Sequence, residues 1–259
     1  MGVQKQRETK KFSSAWRIPF LAAAVAALLA AAWAGLIRMG WQFPVWQPAL
    51  AGMHGPLIIS GFFGTLITLE RAVALGGKWP YTGVALSAAG GIAIIAGVSG
   101  PLPALLLFGG SLGMTAIFIA ILRRHRSNYT LYMAAGAFSW AVGNLLWLAG
   151  KPVFEVILWW MGFLILTIAG ERLELGRLIR LNAKIHRQFN LAASLFLGGL
   201  LLSLFNLDAG TRVTSLGMLA LALWMLRYDI SRFTIKKPGV PRFAAVCLLS
   251  GYIWLGLAG

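Results

Sequence analysis

Long apolar stretches alternate with short polar segments along most of the chain. Nine of these stretches approach the roughly 20 residues that an α-helix needs to cross the hydrocarbon core of a bilayer. Because backbone polar groups find no water within lipid, such stretches fold as helices. The pattern therefore predicts an all-α, polytopic transmembrane helical bundle with nine spans. The predicted spans lie near residues 18–37, 52–71, 82–99, 102–122, 129–149, 153–172, 189–207, 211–227 and 242–258.

The second and sixth predicted spans share a motif. GFFGTLITLERAVALG begins at Gly61 and GFLILTIAGERLELG begins at Gly162, and each has Gly-Phe followed, after seven residues, by Glu-Arg. An offset of 101 residues relates the two copies. Because the offset equals four spans, both copies cross the membrane in the same direction. Parallel repeats of this kind are related by an axis along the membrane normal.

The repeat divides the chain into a leading helix and two parallel four-helix units. The predicted parts are a basic cytoplasmic tail at 1–17, a leading transmembrane helix with an outer loop at 18–50, repeat 1 at 51–150 and repeat 2 at 151–259.

Positive charge lies mostly on one side of the predicted bundle. The chain has 23 Lys and Arg and a net charge of +16. Of these basic residues, 20 precede the first span or follow spans two, four, six and eight, while Arg38, Lys151 and Arg212 lie on the other side. The bias predicts an inner-membrane protein with a cytoplasmic N-terminus and an outer C-terminus. We expect the basic clusters to contact anionic lipids and not nucleic acid.

Composition narrows the class of protein further. The chain is 59% hydrophobic with a mean hydropathy of +0.77, which excludes an ordinary soluble domain of this length. Its one cysteine, Cys247, allows neither an intrachain disulfide nor a cysteine-based metal site. No predicted loop approaches normal domain size, which excludes a separate soluble catalytic domain. No motif assigns an enzymatic reaction.

Two ionisable residues stand at the starts of the repeated spans. The repeat offset carries His54 onto Glu155, and both lie near the outer ends of their spans. If the repeats pack symmetrically, these side chains approach each other, and Trp159, one helical turn from Glu155, shapes a pocket there. Alternatively, both residues only begin their helices, where polar side chains reach the headgroups at little cost.

The Glu-Arg dipeptides lie at the inner ends of the same spans. Adjacent residues do not face each other on a helix, so Glu70 and Arg71 are poor partners for one another. Across the repeat axis, Glu70 is predicted to meet Arg172 and Glu171 to meet Arg71, which would join the two units. The alternative is that the arginines extend separately to the membrane surface.

His54 is the histidine predicted to lie at membrane depth, on a face of small and weakly polar residues. A histidine there is a candidate metal or haem ligand, or a proton carrier. Gly61 and Thr65 lie on the same face and would let a flat ligand approach, so we take them with His54 as a candidate cofactor-binding set. Close helix packing is the alternative, because small residues are common at helix contacts in membranes.

The first 60 or so residues resemble NnrS-type membrane proteins, through RIPFLAAAVAALLAAAWAGL and MHGPLIISGFFGTLI. The second stretch is also similar to the second helix of haem–copper oxidase large subunits, where a histidine near the outer end ligates haem. The resemblance implies a haem b protein, linked to nitric-oxide or respiratory metabolism, with His54 as axial ligand to the iron. Copper is not supported, because the NnrS-type motif has a second histidine that this sequence lacks.

Three functions remain open at this point. The first is a haem-binding or redox-associated membrane protein that uses His54. The second is a small-solute or proton-coupled transporter, with His54 and Glu155 at the repeat interface. The third is an accessory subunit of a larger membrane complex, or of a homo-oligomer, since no strong motif completes a catalytic site.

Overall fold

The computed structural model describes residues 14–179 and 181–259, and within these ranges it contains helices and no strand. A 3-10 turn at Ser14–Arg17 precedes the first long helix. The long helices are α1 (Ile18–Arg38), α2 (Leu50–Leu75), α3 (Tyr81–Ile95), α4 (Leu102–Arg124), α5 (Asn128–Leu148), α6 (Val153–Ile179), α7 (Ala183–Ser203), α8 (Leu207–Tyr228) and α10 (Val240–Ala258). A short helix, α9 (Ser231–Thr234), precedes α10.

The predicted all-α helical bundle is confirmed. Seven helices of the described chain are long and apolar enough to cross a membrane, namely α1, α2, α4, α5, α6, α8 and α10. Each of the nine predicted spans lies on one of the long helices, although α3, with 15 residues, is shorter than the predicted stretch 82–99. Gly97, with a φ of 73°, follows the end of α3 in a conformation that favours glycine.

Helix α7 begins earlier than the stretch 189–207 predicts. The side-chain oxygen of Asn182 accepts a hydrogen bond from the backbone N–H of Ile185 at 2.9 Å and so caps the helix start. The first turns of α7 are rich in polar residues, so the hydrophobic pattern alone does not reveal them.

Helix α2 is irregular over the stretch that contains the candidate residues. It begins as a 3-10 turn at Leu50–Met53, becomes a π-helix at Leu57–Gly64 and continues as an α-helix from Thr65. Pro56 lies in the first turns, where the missing N–H is tolerated. π-helical segments are rare and occur frequently at functional sites.

Neighbouring helices in the chain pack against each other. The pairs α3–α4, α4–α5, α5–α6 and α7–α8 make broad contacts, and α1 lies against α2 and α3. A buried cluster formed by α2, α4, α5 and α6 includes Ile59, Met114, Trp140 and Phe163. The predicted boundary between the repeats, at residues 150 and 151, therefore falls within the closely packed α5–α6 pair.

Antiparallel packing places the connections at two ends of the bundle. We call the end where α2 begins the His54 end, and the end where it finishes the Arg71 end. At the His54 end, Trp46 Nε1 donates to the Ile95 carbonyl at 3.3 Å, which ties the α1–α2 loop to α3. At the Arg71 end, Arg177 Nη1 donates to the Tyr129 hydroxyl at 3.0 Å, which ties α6 to α5.

Helix α10 accompanies α8 over about half of its length. Gly259 lies against Ser215 and Leu219, in the middle of α8, and Tyr252 donates a hydrogen bond to Asp229 just beyond the end of α8. The early turns of α10 therefore extend past Asp229, at the Arg71 end. These contacts set the register of α10 along α8.

Candidate functional site

The imidazole of His54 is held against α1. Its Nδ1 lies 2.7 Å from the Ala31 carbonyl oxygen, and a carbonyl can only accept, so Nδ1 carries a proton. The ring packs directly on Gly35. A Cβ atom at this position would lie only 2.9 Å from His54 Nδ1, so glycine gives the ring its space. No pattern in the sequence indicates this contact, since it depends on how α1 and α2 cross.

The remainder of the candidate cofactor face is filled by neighbouring helices. A side chain at Gly61 would lie 3.1 Å from the Ala27 methyl group of α1 and 3.5 Å from Gly91 of α3. Thr65 is completely buried. These residues therefore pack helices and leave no room for a macrocycle between them. The set formed by His54, Gly61 and Thr65 does not fit a haem group on this face.

Glu155 and His54 are not brought together. The Glu155 carboxylate lies 2.9 Å from Lys151 Nζ, one helical turn away, and His54 contacts α1. Trp159 is buried beside Glu155, and both line a cavity of about 60 Å³ closed by α7 residues such as Ser203. Trp159 therefore lines a small cavity, but His54 is not part of it, and the cavity is only large enough for a water molecule or two.

The Glu-Arg motif forms one of its two predicted cross-pairs. Arg71 donates to Glu171 and ties α2 to α6, and the Arg71 guanidinium also lies 5.9 Å from the centre of the Phe118 ring. Glu70 does not meet Arg172. It is 64% exposed and lies 3.6 Å from Arg71 of its own helix, although adjacent residues were predicted to be poor partners. The motif is therefore used asymmetrically.

The bundle centre contains a hydrogen-bonded group that we call the Asn144 network, formed by Ser60, Trp140, Asn144 and Trp160. Asn144 Oδ1 accepts from Ser60 Oγ and from Trp160 Nε1, both at 3.0 Å. Trp140 Nε1 donates to Ser60 Oγ at 2.9 Å, and Asn144 Nδ2 donates to the Leu107 carbonyl at 3.1 Å. These side chains are fully buried, so their hydrogen bonds join α2, α4, α5 and α6 away from solvent.

The sequence indicated only part of this network. Asn144 lies deep in the fifth predicted span, where an amide favours a hydrogen bond to another helix, whereas a tryptophan such as Trp160 is typical of the membrane interface. A usable signal was depth: Ser60 and Trp160 lie well inside the second and sixth spans, close to the level of Asn144. A buried amide needs partners at its own level, and these residues supply them.

Two clefts open at opposite ends of the helices that form this network. The cleft at the His54 end has a volume of about 400 Å³ and is lined by Met53 of α2, Ala104 of α4 and Trp147 of α5, among others. The cleft at the Arg71 end has a volume of about 390 Å³. Its lining includes Arg71 of α2 and Glu174 of α6.

The Asn144 network lies next to the first cleft. Trp147 and Ala104 are each one turn from a member or partner of the network, Asn144 and Leu107 respectively. Apolar side chains separate the Asn144 network from the second cleft. Trp140 stacks on Phe163 with ring centres 4.9 Å apart, and Met114 and Phe118 are buried beside them. The two clefts are thus separated by one polar layer and one apolar layer.

These features define the class of protein as an all-helical bundle whose apolar helices can cross a membrane. The chain belongs to the family described as Domain of unknown function (DUF8744), whose model matches residues 17–259. No curated protein and no solved structure matches the chain.

Proposed function

We propose that the protein is an integral membrane transporter that binds a small neutral polar solute among α2, α4, α5 and α6. The observation that carries this proposal is the placement of the Asn144 network between two clefts of similar size, about 400 and 390 Å³. Alternating access needs a site near the middle of the membrane that opens to one side at a time. The apolar layer around Trp140 and Phe163 closes this site towards the Arg71 end.

The chemistry of the network favours a neutral solute. Its side chains offer amide, hydroxyl and indole groups, and the described part of the network contains no formal charge. An ion moved into this apolar layer would lose its hydration without gaining a charged partner. A solute that both donates and accepts hydrogen bonds would replace the bonds that Ser60 and Asn144 now make with each other.

The π-helical segment supplies the movable element. Ser60 lies within Leu57–Gly64, and a return of this segment to α-helical geometry would rotate Ser60 away from Asn144. Gly64 lets the Trp140 ring lie directly against α2, because a side chain there would overlap the ring. A change in α2 would therefore also shift the ring that closes the apolar layer.

The orientation in the membrane is part of the proposal. The Arg71 end would face the cytoplasm, since basic residues concentrate there. With nine crossing helices, the units 51–150 and 151–259 would act as parallel repeats, and the Arg71–Glu171 ion pair joins them at the cytoplasmic side. The basic segments of this end would meet anionic lipids.

Cysteine labelling tests the pathway. In a Cys247→Ser background, Ser60→Cys is treated in sealed vesicles with a small, charged thiol reagent applied from each side in turn. The proposal predicts reaction from one side at least, because the closed site must open to water. Ser99→Cys and Ala74→Cys, which line the clefts at the His54 and Arg71 ends respectively, report the orientation of the vesicles.

Ser139→Cys is the matched control. Like Ser60, Ser139 is a buried serine, but it belongs to α5. It lies against Gly162 of α6, outside the Asn144 network. It should stay unreactive. If Ser60→Cys is as unreactive as Ser139→Cys from both sides while the cleft cysteines react, the chain is a closed scaffold, and an accessory subunit becomes the better function.

A further inference from the structure

A groove that the proposed pathway does not use opens on the outer surface of the bundle. It lies between the end of α4 and the start of α5 and has a volume of about 490 Å³. Its apolar wall is formed by Ile119 and Leu122 of α4 and by Leu131 of α5. Ile119 is 45% exposed and Leu131 is 56% exposed, so this wall faces away from the bundle. Because α4 and α5 are both long and apolar enough to cross a membrane, the wall belongs to their lipid-facing surface.

The rim of the same groove is basic. Arg123 and Arg126 line it together with Ser127 and Asn128, and none of its described lining residues is acidic. Both arginines are exposed, and neither forms an ion pair with another described residue. Their charges are therefore available to an anion from outside the chain.

The structure divides the basic run RRHR, at the end of α4, between two sites. Arg124 and His125 line the second cleft of the pathway, where Glu174 also lies. Arg123 and Arg126 line the outer groove instead. Because the acidic residue belongs to the inner cleft, the outer groove keeps an unbalanced positive charge.

The apolar and basic parts of the groove follow each other in the order found in a phospholipid. Ile119 lies one helical turn before Arg123, about 6 Å along α4, and Leu131 lies one turn after Ser127. The Ser127 hydroxyl oxygen accepts from the Thr130 N–H at 3.4 Å and caps α5, so the positive end of this helix dipole adds to the charge of the rim. An acyl chain on the wall would therefore carry its phosphate to the rim.

We propose that this groove binds one anionic phospholipid. Its phosphate lies between Arg123 and Arg126, and one acyl chain lies on the apolar wall. Guanidinium groups suit this ligand because their N–H donors match the geometry of phosphate oxygens. A free phosphate would use the rim alone and leave the wall uncovered. The assignment to the cytoplasmic leaflet rests on the orientation proposed above, in which the Arg71 end faces the cytoplasm, and not on the transport pathway.

Native mass spectrometry of the purified full chain tests the proposal, because it resolves the chain with each added lipid. The chain is titrated with phosphatidylglycerol, which is anionic, and with phosphatidylcholine, which has the same phosphate but no net charge. The first phosphatidylglycerol should bind more tightly. Arg123→Gln and Arg126→Gln should each weaken it by about fivefold and leave phosphatidylcholine unchanged. Both positions are exposed, so the fold should tolerate these substitutions.

Arg187→Gln and Arg242→Gln are the matched controls. These arginines are exposed on α7 and α10 at the same end of the bundle, and neither lines the groove. Each substitution removes the same charge as the groove variants. The affinity for the first phosphatidylglycerol should therefore change by less than about twofold, since a long-range effect of net charge is weak.

The apolar wall separates a lipid from a free anion. Leu131→Asn should weaken phosphatidylglycerol by about threefold, because the acyl chain loses an apolar contact. Leu145→Asn is its control, since Leu145 is 48% exposed on α5 but does not line the groove. Inorganic phosphate in large excess should not displace the bound lipid.

Three results would overturn the proposal. If Arg123→Gln combined with Arg126→Gln binds phosphatidylglycerol as the arginine controls do, the lipid binds elsewhere. Equal affinity of the unaltered chain for the two lipids would show that the rim does not select an anion. If inorganic phosphate displaces the lipid and Leu131→Asn has no effect, the arginines bind a free anion. Lipid affinity and the reactivity of Ser60→Cys are independent measurements, so each proposal fails on its own result.

Discussion

The Asn144 network and the junction of α8, α9 and α10 both bury polar side chains, but the hydrogen bonds of these side chains are arranged differently. In the network, one amide joins groups from three other helices, and each side chain has a hydrogen-bond partner. In the group formed by Asp229, Ser231 and Tyr252, three donors share Asp229 Oδ2, while Oδ1 has no partner among the described residues. A neutral network can be completed by side chains alone, whereas a buried carboxyl group carries two acceptor oxygens that are harder to satisfy together.

The largest effect is expected where the complete network is broken. Asn144→Leu leaves Trp160 Nε1 and the Leu107 carbonyl without their side-chain partner, so the free energy of unfolding should fall by about 2–3 kcal/mol. Unfolding by SDS titration of the purified protein measures this loss. Asn128→Leu, at an exposed position of α5, should change stability by less than about 0.5 kcal/mol. Equal effects of the two substitutions would show that the Asn144 network does not contribute to the free energy of unfolding.

The next effect tests how closely α2 packs on the network. Gly64→Ala places a methyl group within the volume of the Trp140 ring, which must shift, and overpacking of this kind destabilises by about 1–2 kcal/mol. Gly198→Ala is the control. This glycine of α7 is exposed with nothing close to its Cβ position, so alanine there should be neutral or stabilising. Tryptophan fluorescence and SDS unfolding of the two variants separate these cases.

A smaller effect tests the asymmetry of the Glu-Arg motif. Glu171→Gln removes the charge that pairs with Arg71, and we expect a loss of about 1 kcal/mol because the pair is partly shielded from solvent. Glu70→Gln should cost less than about 0.5 kcal/mol, since its side chain is 64% exposed. Thermal unfolding in detergent compares the two. If both predicted cross-pairs formed, the two substitutions would instead lower the stability equally.

The smallest effect concerns His54. Its hydrogen bond to the Ala31 carbonyl joins α1 and α2, and loss of one such interhelical bond in His54→Ala should cost about 0.6 kcal/mol. Because Gly61 and Thr65 are covered by neighbouring helices, we also expect protein from haem-replete cells to show no Soret band that depends on His54. A Soret band that disappears in His54→Ala would place a haem outside the α1–α2 contact and reopen the redox function.

The helices themselves could be predicted from sequence because the apolar stretches are long and their ends carry polar residues. The Arg71–Glu171 contact was also among the predicted pairs, since the repeated motif places both residues at the same level. By contrast, His54 and Glu155 both lie near the starts of their helices but do not contact each other. Depth follows from position along a helix, whereas the direction of a side chain depends on the rotation of that helix against its neighbours.

Two features had no signal in the hydrophobic pattern. The π-helix at Leu57–Gly64 packs against Trp140 of another helix at its Gly64 end. Asp229 is a single acidic residue before the basic stretch RFTIKKPGVPR, which reads as a solvated connection. It becomes buried only because α10 extends past the end of α8 and carries Tyr252 to it. Contacts between distant parts of the chain decide both features.

Hydrogen–deuterium exchange tests the central claim, that the Asn144 network opens, most directly. The amides of α2 from Leu57 to Gly64 should be compared with those of α6 from Ile165 to Leu173, a similarly buried stretch below the network. The account predicts faster exchange in the α2 segment, and a further increase in Asn144→Leu. Equal and complete protection of both stretches, unchanged in Asn144→Leu, would show that the network is a rigid core and not a gate.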